Sequence, residues 1–302
     1  MKKHLFILCM ISFIAQSCCE KPIFIGHRGS LLGVENTEEA FINGAKHFGY
    51  QGLECDVKTT KDGQCVCWHD DHLQRAGIEE VFIPNITLDS LLSLTLTQTR
   101  KDVKTTKDGQ CVCWHDDQLQ RAGIEEVLIP DITLDSLLTL PLTQTRKDVT
   151  YSAHICTVDR YLEICKEYQV FPVVELKWAT GINNNDMSLF PSLYALIEKH
   201  GLVEEAVILT SMRKSLEYIR TNYPQLQCQY LRQTVKDEDV QWCHDWKTNI
   251  SIQHANINPE LVNTCNELGV EVAAWTVNSD SIYHRLVDCG CAFITTDYLE
   301  IP

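Results

Sequence analysis

Residues 52–70 read GLECDVKTTKDGQCVCWHD, and this stretch contributes most to the fold prediction. Its first part has the apolar composition of a buried strand, and its last part has the alternation of a second, shorter strand. Asp62-Gly63 between them predicts a two-residue hairpin turn. The register that such a turn imposes would place His69 directly opposite Asp56. We therefore predict a β-hairpin that brings a histidine back beside an acidic strand.

Short β-rich runs alternate with helix-like segments along the rest of the chain, which predicts a parallel α/β fold. The eight predicted strands are 23–26, 52–57, 170–177, 206–210, 227–231, 250–253, 271–277 and 292–295. The predicted helices include 37–48, 158–168, 189–200, 214–223, 259–268 and 280–288. This alternation favours a (β/α)8 TIM barrel with the hairpin at its mouth. A doubly wound open sheet is the alternative, but no G-x-G-x-x-G motif follows a predicted strand.

The hairpin stretch occurs twice in the chain. Residues 56–101, the first copy, recur as residues 102–147, the second copy, 46 positions later and with only five substitutions. A single pair of copies is too few for a solenoid, which needs at least about three repeats to bury its faces. We therefore predict a tandem duplication inside one fold, with the second copy as an insertion.

The two copies differ in what precedes them. Glu54 stands two residues before Asp56 in the first copy, whereas Arg100 occupies the matching position before the second copy. A metal-binding carboxylate pair is therefore complete only in front of the first copy. We predict that the first copy supplies the working hairpin with His69, and the alternative is an exchange in which His115 enters the site.

The charge of the chain limits its partners. A formal net charge of −15 argues against a nucleic-acid surface, which needs a basic field. An anionic substrate would also be repelled unless a bound cation reversed the sign locally. We therefore expect a small-molecule substrate, a metal cation and no nucleic acid.

The N-terminus has the features of an export signal. A short basic region precedes an apolar run over residues 5–15, which is too short to span a bilayer. Small residues then predict cleavage next to Cys18. We predict a signal peptide over 1–18 and a barrel over 20–302, in an exported protein of the bacterial periplasm or membrane surface. Cys18 is either a plain cleavage point or a lipidation site that tethers the protein to a membrane.

Carboxylates with metal-ligand spacing occur on two predicted strands. Glu54 and Asp56 are two residues apart, so both side chains point to one face of a strand and repel each other unless a cation lies between them. Oxygen ligands suit Mg²⁺ or Ca²⁺ better than zinc. Glu175 and Lys177 repeat the spacing at the end of another strand, where they could bind the metal and a phosphate oxygen. A solvated strand face and a simple ion pair are the respective alternatives.

Two basic side chains end the first predicted strand. His27 and Arg28 stand where the active sites of parallel barrels form, at the carboxyl ends of the strands. The planar guanidinium of Arg28 is suited to gripping a phosphate. The segment 35–37 that follows opens a helix, and we interpret it as a capping segment.

Six stretches together resemble the glycerophosphodiester phosphodiesterase family, a metal-dependent group of TIM-barrel enzymes. They are IGHRGS, VENTEEAF, LECDVKTTKDGQCVCWHDD, VVELK, VAAWTVN and FITTD, in the family's order along nearly the whole chain after the signal. Val34 departs from the family's usual proline. The resemblance implies His27 and His69 as the acid–base pair, Glu54, Asp56 and Glu175 as ligands of Mg²⁺ or Ca²⁺, and Arg28, Lys177 and Trp275 as substrate-binding residues. It also matches residues 295–297 to the family's terminal strand motif, which we interpret as structural.

The predicted function is therefore hydrolysis of glycerophosphodiesters to an alcohol and glycerol 3-phosphate. An alternative in the same enzyme class is a phospholipase-D-like activity on lysolipids. An alternative from another class is a catalytically impaired, surface-tethered binding protein on the same barrel, which only the duplication favours.

Overall fold

The computed structural model describes residues 21–76, 78, 81–101, 103–105, 111–113, 148–178 and 181–301. The predicted export signal over 1–18, with Cys18, lies outside the described residues, as do His115 and most of the second copy.

Parallel strands close into an eight-stranded barrel, which confirms the predicted (β/α)8 architecture. In chain order the strands are β1 (Ile23–Gly26), β2 (Gly52–Thr59), β3 (Cys65–Cys67), β4 (Leu96–Lys101), β5 (Val103–Thr105), β6 (Cys111–Cys113), β7 (Asp148–Ala153), β8 (Cys156–Thr157), β9 (Phe171–Leu176), β10 (Val207–Thr210), β11 (Gln227–Arg232), β12 (Asn249–Gln253), β13 (Val272–Trp275) and β14 (Phe293–Thr296). The barrel runs β1, β2, β9 and then β10 to β14 in order. Pairing of β14 with β1, and of Ile25 with Gly52 between β1 and β2, closes it.

Helices connect the barrel strands and cover their outer faces. They are α1 (Glu38–Lys46), α2 (Leu88–Leu92), α3 (Val158–Tyr168), α4 (Phe190–His200), α5 (Arg213–Asn222), α6 (Asp237–Trp246), α7 (Pro259–Glu267) and α8 (Asp280–Cys289). The helix α6 was not among the predicted segments. Its start is marked by the Asp239 carboxylate, which accepts the Lys236 backbone N–H at 2.9 Å. The sequence did contain a signal for this helix, its acidic first turn, because negatively charged side chains stabilise the N-terminus of a helix.

The hairpin forms, but its predicted turn is wrong by one residue. The Thr60 N–H donates to the Gln64 carbonyl at 2.9 Å, so three residues rather than two make the turn. Gly63 adopts a φ of 74°, in the left-handed region that favours glycine. A three-residue turn that ends in a left-handed residue is the next commonest hairpin connection.

Because the turn contains one more residue than predicted, the pairing of the hairpin strands shifts by one residue and His69 moves relative to β2. The Trp68 N–H, not that of His69, donates to the Asp56 carbonyl, at 2.9 Å. His69 therefore lies one residue beyond the last ladder bond, in the turn that leaves β3. The predicted pairing of Asp56 with His69 is wrong, although the hairpin still carries the histidine to this edge of the barrel.

The two copies of the duplicated stretch take different places in the sheets. In the first copy β3 pairs antiparallel with β2 and so extends the barrel sheet. The described strands of the second copy, β5 and β6, pair with each other as a separate two-stranded sheet, in which Val103 lies opposite Cys113. The placement of these strands agrees with a working first copy, but the role of the second copy stays a prediction.

Apolar side chains fill three regions. The largest lies between the strands and the helices, and a second, around Trp68 and Leu73, packs beneath the hairpin. The barrel interior is filled by the third group, which contains Ile25, Val173, Val207, Leu209, Ala273 and Phe293. Among the described residues, no helix has the length and apolar composition needed to cross a bilayer.

Tyr161 of α3 links the two strands that carry the acidic residues. Its buried hydroxyl donates to the Leu53 carbonyl of β2 at 2.6 Å and accepts the Val173 N–H of β9 at 3.0 Å. Burial raises the pKa of Tyr161 well above its ordinary value, so the hydroxyl stays protonated and able to donate. The helix is thereby fixed to β2 and β9 just before Glu54 and Glu175.

We expect Tyr161→Phe to lower the free energy of unfolding by about 1–3 kcal/mol, because two buried backbone groups lose a polar partner. Urea denaturation of the whole chain measures this. Tyr168→Phe on the same helix is the control, since the Tyr168 hydroxyl forms no hydrogen bond within the described part of the chain. Equal stability of Tyr161→Phe and Tyr168→Phe would contradict the expectation.

Candidate active site

Three carboxylates meet where β2 and β9 end. Asp56 lies opposite Glu175 in the parallel register of these strands, and Glu54 lies two residues earlier on the same face as Asp56. One oxygen of each comes within 4.8 Å of the others. Glu54 is 2% exposed and Asp56 is fully buried, so the alternative of a solvated strand face is wrong.

Asp56 is the best compensated of the three carboxylates. Its Oδ2 lies 3.1 Å from Arg28 Nε and accepts a hydrogen bond from Asn36 Nδ2 at 2.8 Å. Its Oδ1 lies 2.9 Å from Lys177 Nζ, an ion-pair contact without the alignment of a hydrogen bond. Burial alone would raise the pKa of Asp56, but Lys177 and Arg28 outweigh it and lower the pKa well below the usual range. Asp56 is therefore ionised.

The two glutamates are less well compensated. Oε2 of Glu54 accepts the Arg28 backbone N–H at 2.8 Å, whereas its buried Oε1 has no hydrogen-bond partner among the described residues. Burial, and then the charge of Asp56, raise the pKa of Glu54 to about 8. The same two causes, in the same order, raise the pKa of Glu175, although Lys177 lies in hydrogen-bond contact with it. The basic side chains around the three carboxylates therefore do not fully compensate their negative charge.

The donor set fits a hard divalent cation. Three carboxylates offer oxygen only, which suits Mg²⁺ or Ca²⁺ rather than a metal that prefers nitrogen or sulfur. The unpartnered Oε1 of Glu54 points to the same conclusion, because a buried carboxylate oxygen is costly unless it is hydrogen-bonded or coordinated.

His27 occupies the loop after β1 and is held by a carboxylate. Its Nδ1 lies 2.8 Å from Asp297 Oδ1, and Asn278 Nδ2 donates to the other oxygen of Asp297 at 2.6 Å. An ionised carboxylate only accepts hydrogen bonds, so Nδ1 carries the hydrogen and Nε2 is left for proton transfer. Burial alone would lower the pKa of His27, but Asp297 and then Glu54 outweigh it and raise the pKa.

A tight turn aims Arg28 at the carboxylates. Arg28 itself has a φ of 51° and Gly29 a φ of 90°, both in the left-handed region. A Cβ at Gly29 would lie 2.6 Å from the Ala40 backbone, so only glycine lets this turn approach α1 so closely. Besides contacting Asp56, the Arg28 guanidinium donates a hydrogen bond from Nη1 to Glu35 Oε2 at 2.9 Å.

The interpretation of residues 35–37 as a capping segment is wrong. Thr37 precedes α1, but its hydroxyl donates to the Val34 carbonyl at 2.6 Å and forms no side-chain cap of the helix. Glu35 instead holds Arg28. Asn36, with a φ of 59°, both donates to Asp56 Oδ2 and accepts the Asp56 backbone N–H at 3.0 Å. The segment therefore orients the basic and acidic groups of the site.

His69 approaches the cluster from the hairpin. Its Nδ1 lies 2.6 Å from Asp70 Oδ1, so this imidazole also has a carboxylate partner. Burial lowers the pKa of His69, and Arg28 and Lys177 lower it further, against the opposing charge of Asp56. The pKa of His27 is therefore raised and the pKa of His69 lowered from the ordinary value of histidine.

Trp275 ends β13 on the same side of the barrel. The ring is half-buried, and its Nε1 is buried without a hydrogen-bond partner among the described residues. The predicted role of Trp275 in substrate binding stays a prediction.

Four residues of the site were not predicted from the sequence. Asp297, interpreted as structural, orients His27, and Asp70 orients His69; Glu35 and Asn36 hold Arg28 and Asp56. Asp297 and Asp70 follow a barrel strand and the hairpin strand respectively, and that position was the available signal. The roles of Glu35 and Asn36 were harder to predict from the sequence, because their partners lie in other elements of the fold.

Known proteins resemble this chain over nearly its whole length. A glycerophosphodiester phosphodiesterase from Caldanaerobacter subterraneus subsp. tengcongensis is 26% identical over 285 residues, which cover 92% of this chain and 94% of the relative. A solved Oleispira antarctica phosphodiesterase, in complex with the product sn-glycerol-3-phosphate, has a TM-score of 0.66 at 18% identity over 92% of this chain and 94% of that one. A solved glycerophosphodiester phosphodiesterase from Parabacteroides distasonis has a TM-score of 0.61 at 18% identity, over 92% and 93% of the two chains. The two solved structures show the shared fold.

The model of the glycerophosphoryl diester phosphodiesterase family matches residues 26–101 and 101–301, two stretches that meet at the boundary between the two copies. This match confirms the resemblance and the enzyme class predicted from the sequence. The chain belongs to the glycerophosphoryl diester phosphodiesterase family.

Proposed function

We propose that this protein hydrolyses glycerophosphodiesters to glycerol 3-phosphate and an alcohol, with a divalent cation at its acidic cluster and two histidines as acid and base. The observation that carries the proposal is the buried cluster of Glu54, Asp56 and Glu175, with His27 close enough to interact with the charge of Glu54 and His69 with that of Asp56. The Oleispira antarctica relative, which was solved with sn-glycerol-3-phosphate, supports the product.

Glu54, Asp56 and Glu175 would hold the cation. A divalent ion there supplies Lewis acidity that stabilises negative charge on the phosphate oxygens in the transition state. Arg28 and Lys177 contribute fixed positive charge beside the same oxygens, and their contacts with Asp56 and Glu35 keep them aimed at the site. Trp275, whose buried Nε1 has no hydrogen-bond partner among the described residues, would line the substrate pocket, as the family resemblance implies.

The sequence left open which histidine is the acid, and the surrounding charges favour one division. His27 lies between Asp297 and Glu54, which favour its protonated form, so we assign it as the general acid. Burial, and then Arg28 and Lys177 against the charge of Asp56, lower the pKa of His69 and favour its neutral form, so we assign it as the general base.

In the proposed step His69 removes the proton from the attacking hydroxyl, which belongs to water or to a neighbouring carbon of the substrate. The new oxygen–phosphorus bond forms as the bond to the leaving alcohol breaks. His27 Nε2 gives its proton to the departing oxygen, so charge and protons balance. Attack by water gives glycerol 3-phosphate directly. Attack by the substrate hydroxyl gives a cyclic phosphate, which water then opens to glycerol 3-phosphate, with His27 now accepting the proton of water and His69 returning its proton to the oxygen that leaves the ring.

We expect glycerol 3-phosphate release from glycerophosphodiesters to stop with a chelator and to return with Mg²⁺ or Ca²⁺. An enzymatic assay for glycerol 3-phosphate across a panel of head groups measures this, with Asp56→Asn as the control for metal binding. Release that persists in chelator would contradict the metal role. Binding without turnover would favour the impaired binding protein, and turnover of lysolipids alone would favour the phospholipase-D-like activity.

We expect kcat to show a bell-shaped pH profile at saturating metal. The acid limb reports protonation of the base His69, below the ordinary value of 6.5, and the alkaline limb reports deprotonation of the acid His27, above 6.5. Asp297→Asn removes the charge that raises the pKa of His27, so the alkaline limb should move to lower pH. Asp70→Asn removes a hydrogen bond that raises the pKa of His69, so the acid limb should move to lower pH. The opposite assignment of limbs in these two variants would reverse the roles of the histidines.

We expect His69→Ala to lower kcat by about 10²–10⁴-fold, since general acid–base catalysis contributes about that much. His115→Ala, the matched change in the second copy, should leave kcat unaltered. Steady-state kinetics of the two single variants make the comparison. Similar losses in both would show that the hairpins exchange roles.

A further inference from the structure

Lys58 is a buried cation that the proposed chemistry does not use. It follows Asp56 by two residues on β2, so it lies on the same strand face as the acidic cluster. Its side chain is only 6% exposed, and its Nζ lies 2.6 Å from Oδ1 of Asp71, whose side chain is 43% exposed. A buried lysine is rare without a partner, because burying an unpaired charge is costly.

The partner of Lys58 belongs to the turn that carries His69. Trp68, at the start of this turn, is tied to β2 by its N–H, which donates to the Asp56 carbonyl at 2.9 Å. The Trp68 indole N–H donates to the His72 carbonyl at 3.0 Å and closes the turn on itself. On the other side of His69, the Lys58–Asp71 ion pair connects the turn to β2 a second time.

We propose that Lys58, through its ion pair with Asp71, is a positioning residue that sets the distance of His69 from the acidic cluster. The inference rests on the proposed function, since it assigns Lys58 to the placement of the catalytic base. Trp68 attaches the turn to β2 on one side of His69, and Lys58 attaches it on the other side.

The energetics favour an effect on the turn rather than on the strand. Lys58 lies in β2 and pairs with Val66 of β3, one residue after the pairing of β2 with β9 ends, whereas the Asp71 side chain is 43% exposed and belongs to a short turn. If the pair is broken, hydration of the carboxylate therefore draws the turn outward while β2 stays in place. A displacement of about 1 Å of a catalytic group is enough to cost about 10²-fold in rate.

The duplication supplies matched controls. Lys104 and Asp117 are the counterparts of Lys58 and Asp71 in the second copy, in an almost identical local sequence. Substitutions there make the same change in composition 46 positions later in the sequence.

Steady-state kinetics of Lys58→Met and Asp71→Asn at saturating metal test the proposal. We expect kcat to fall about 10- to 100-fold, with KM and the metal concentration for half-maximal activity within about two-fold of the parent protein. Lys58→Arg, which keeps the cation, should recover most of kcat. Lys104→Met and Asp117→Asn should behave as the parent does. A Lys58 that instead bound the substrate phosphate would show itself as a large rise in KM for Lys58→Met and a fall in KM for Asp71→Asn, and that result would overturn the proposal.

Hydrogen exchange gives a readout that does not depend on turnover. The Ile83 N–H donates to the Asp71 carbonyl at 2.8 Å, so its exchange reports the position of the turn. We expect faster exchange at Ile83 in Asp71→Asn than in Asp117→Asn, with unchanged exchange in the β9 amides. Equal exchange at Ile83 in these two variants would overturn the proposal, even if the parent protein proved inactive and the proposed function failed.

Discussion

The burial of three carboxylates side by side is the constraint on which the rest of the site depends. Glu54, Asp56 and Glu175 converge within 4.8 Å, in a region where burial and mutual repulsion both oppose ionisation. Such a cluster is stable only if positive charge is supplied, and the chain supplies part of it through Arg28 and Lys177. With two positive charges against three negative ones, a net negative charge remains, which a bound cation would offset. A metal and an anionic substrate would both follow from this one electrostatic arrangement.

The strand β2 connects the parts of this arrangement. It carries two of the carboxylates, pairs with β9 to bring the third, and extends into the hairpin that bears His69. Tyr161 of α3 hydrogen-bonds to the backbone of β2, and Lys58 of β2 forms an ion pair with Asp71 in the turn beyond His69. A single strand thus relates the positions of the proposed metal ligands and of His69, while β1 and β14 place His27 and its aspartate.

Periodicity and composition were enough to predict the barrel, because short, largely buried strands alternate with helices that bury one face. All eight barrel strands were located within a few residues, and the spacing of Glu54 and Asp56 predicted their common face. Contacts between distant loops were harder to predict. Nothing local distinguishes Asn36 as a partner of Asp56 rather than a helix cap. The position of Asp297 after a barrel strand was a signal, but it does not identify His27, 270 residues away in the sequence, as its partner. The hairpin register failed for a different reason, since Asp62-Gly63 is compatible with turns of two or three residues and the left-handed Gly63 selected the longer one.

Direct titration of the protein with Mg²⁺ and Ca²⁺ by calorimetry tests the central claim, that the buried carboxylates hold a divalent cation. The account predicts one site per chain, abolished in Glu54→Gln and in Glu175→Gln and retained in Asp117→Asn. Binding of equal strength in Glu54→Gln, or a stoichiometry that falls only when the second copy is altered, would contradict it.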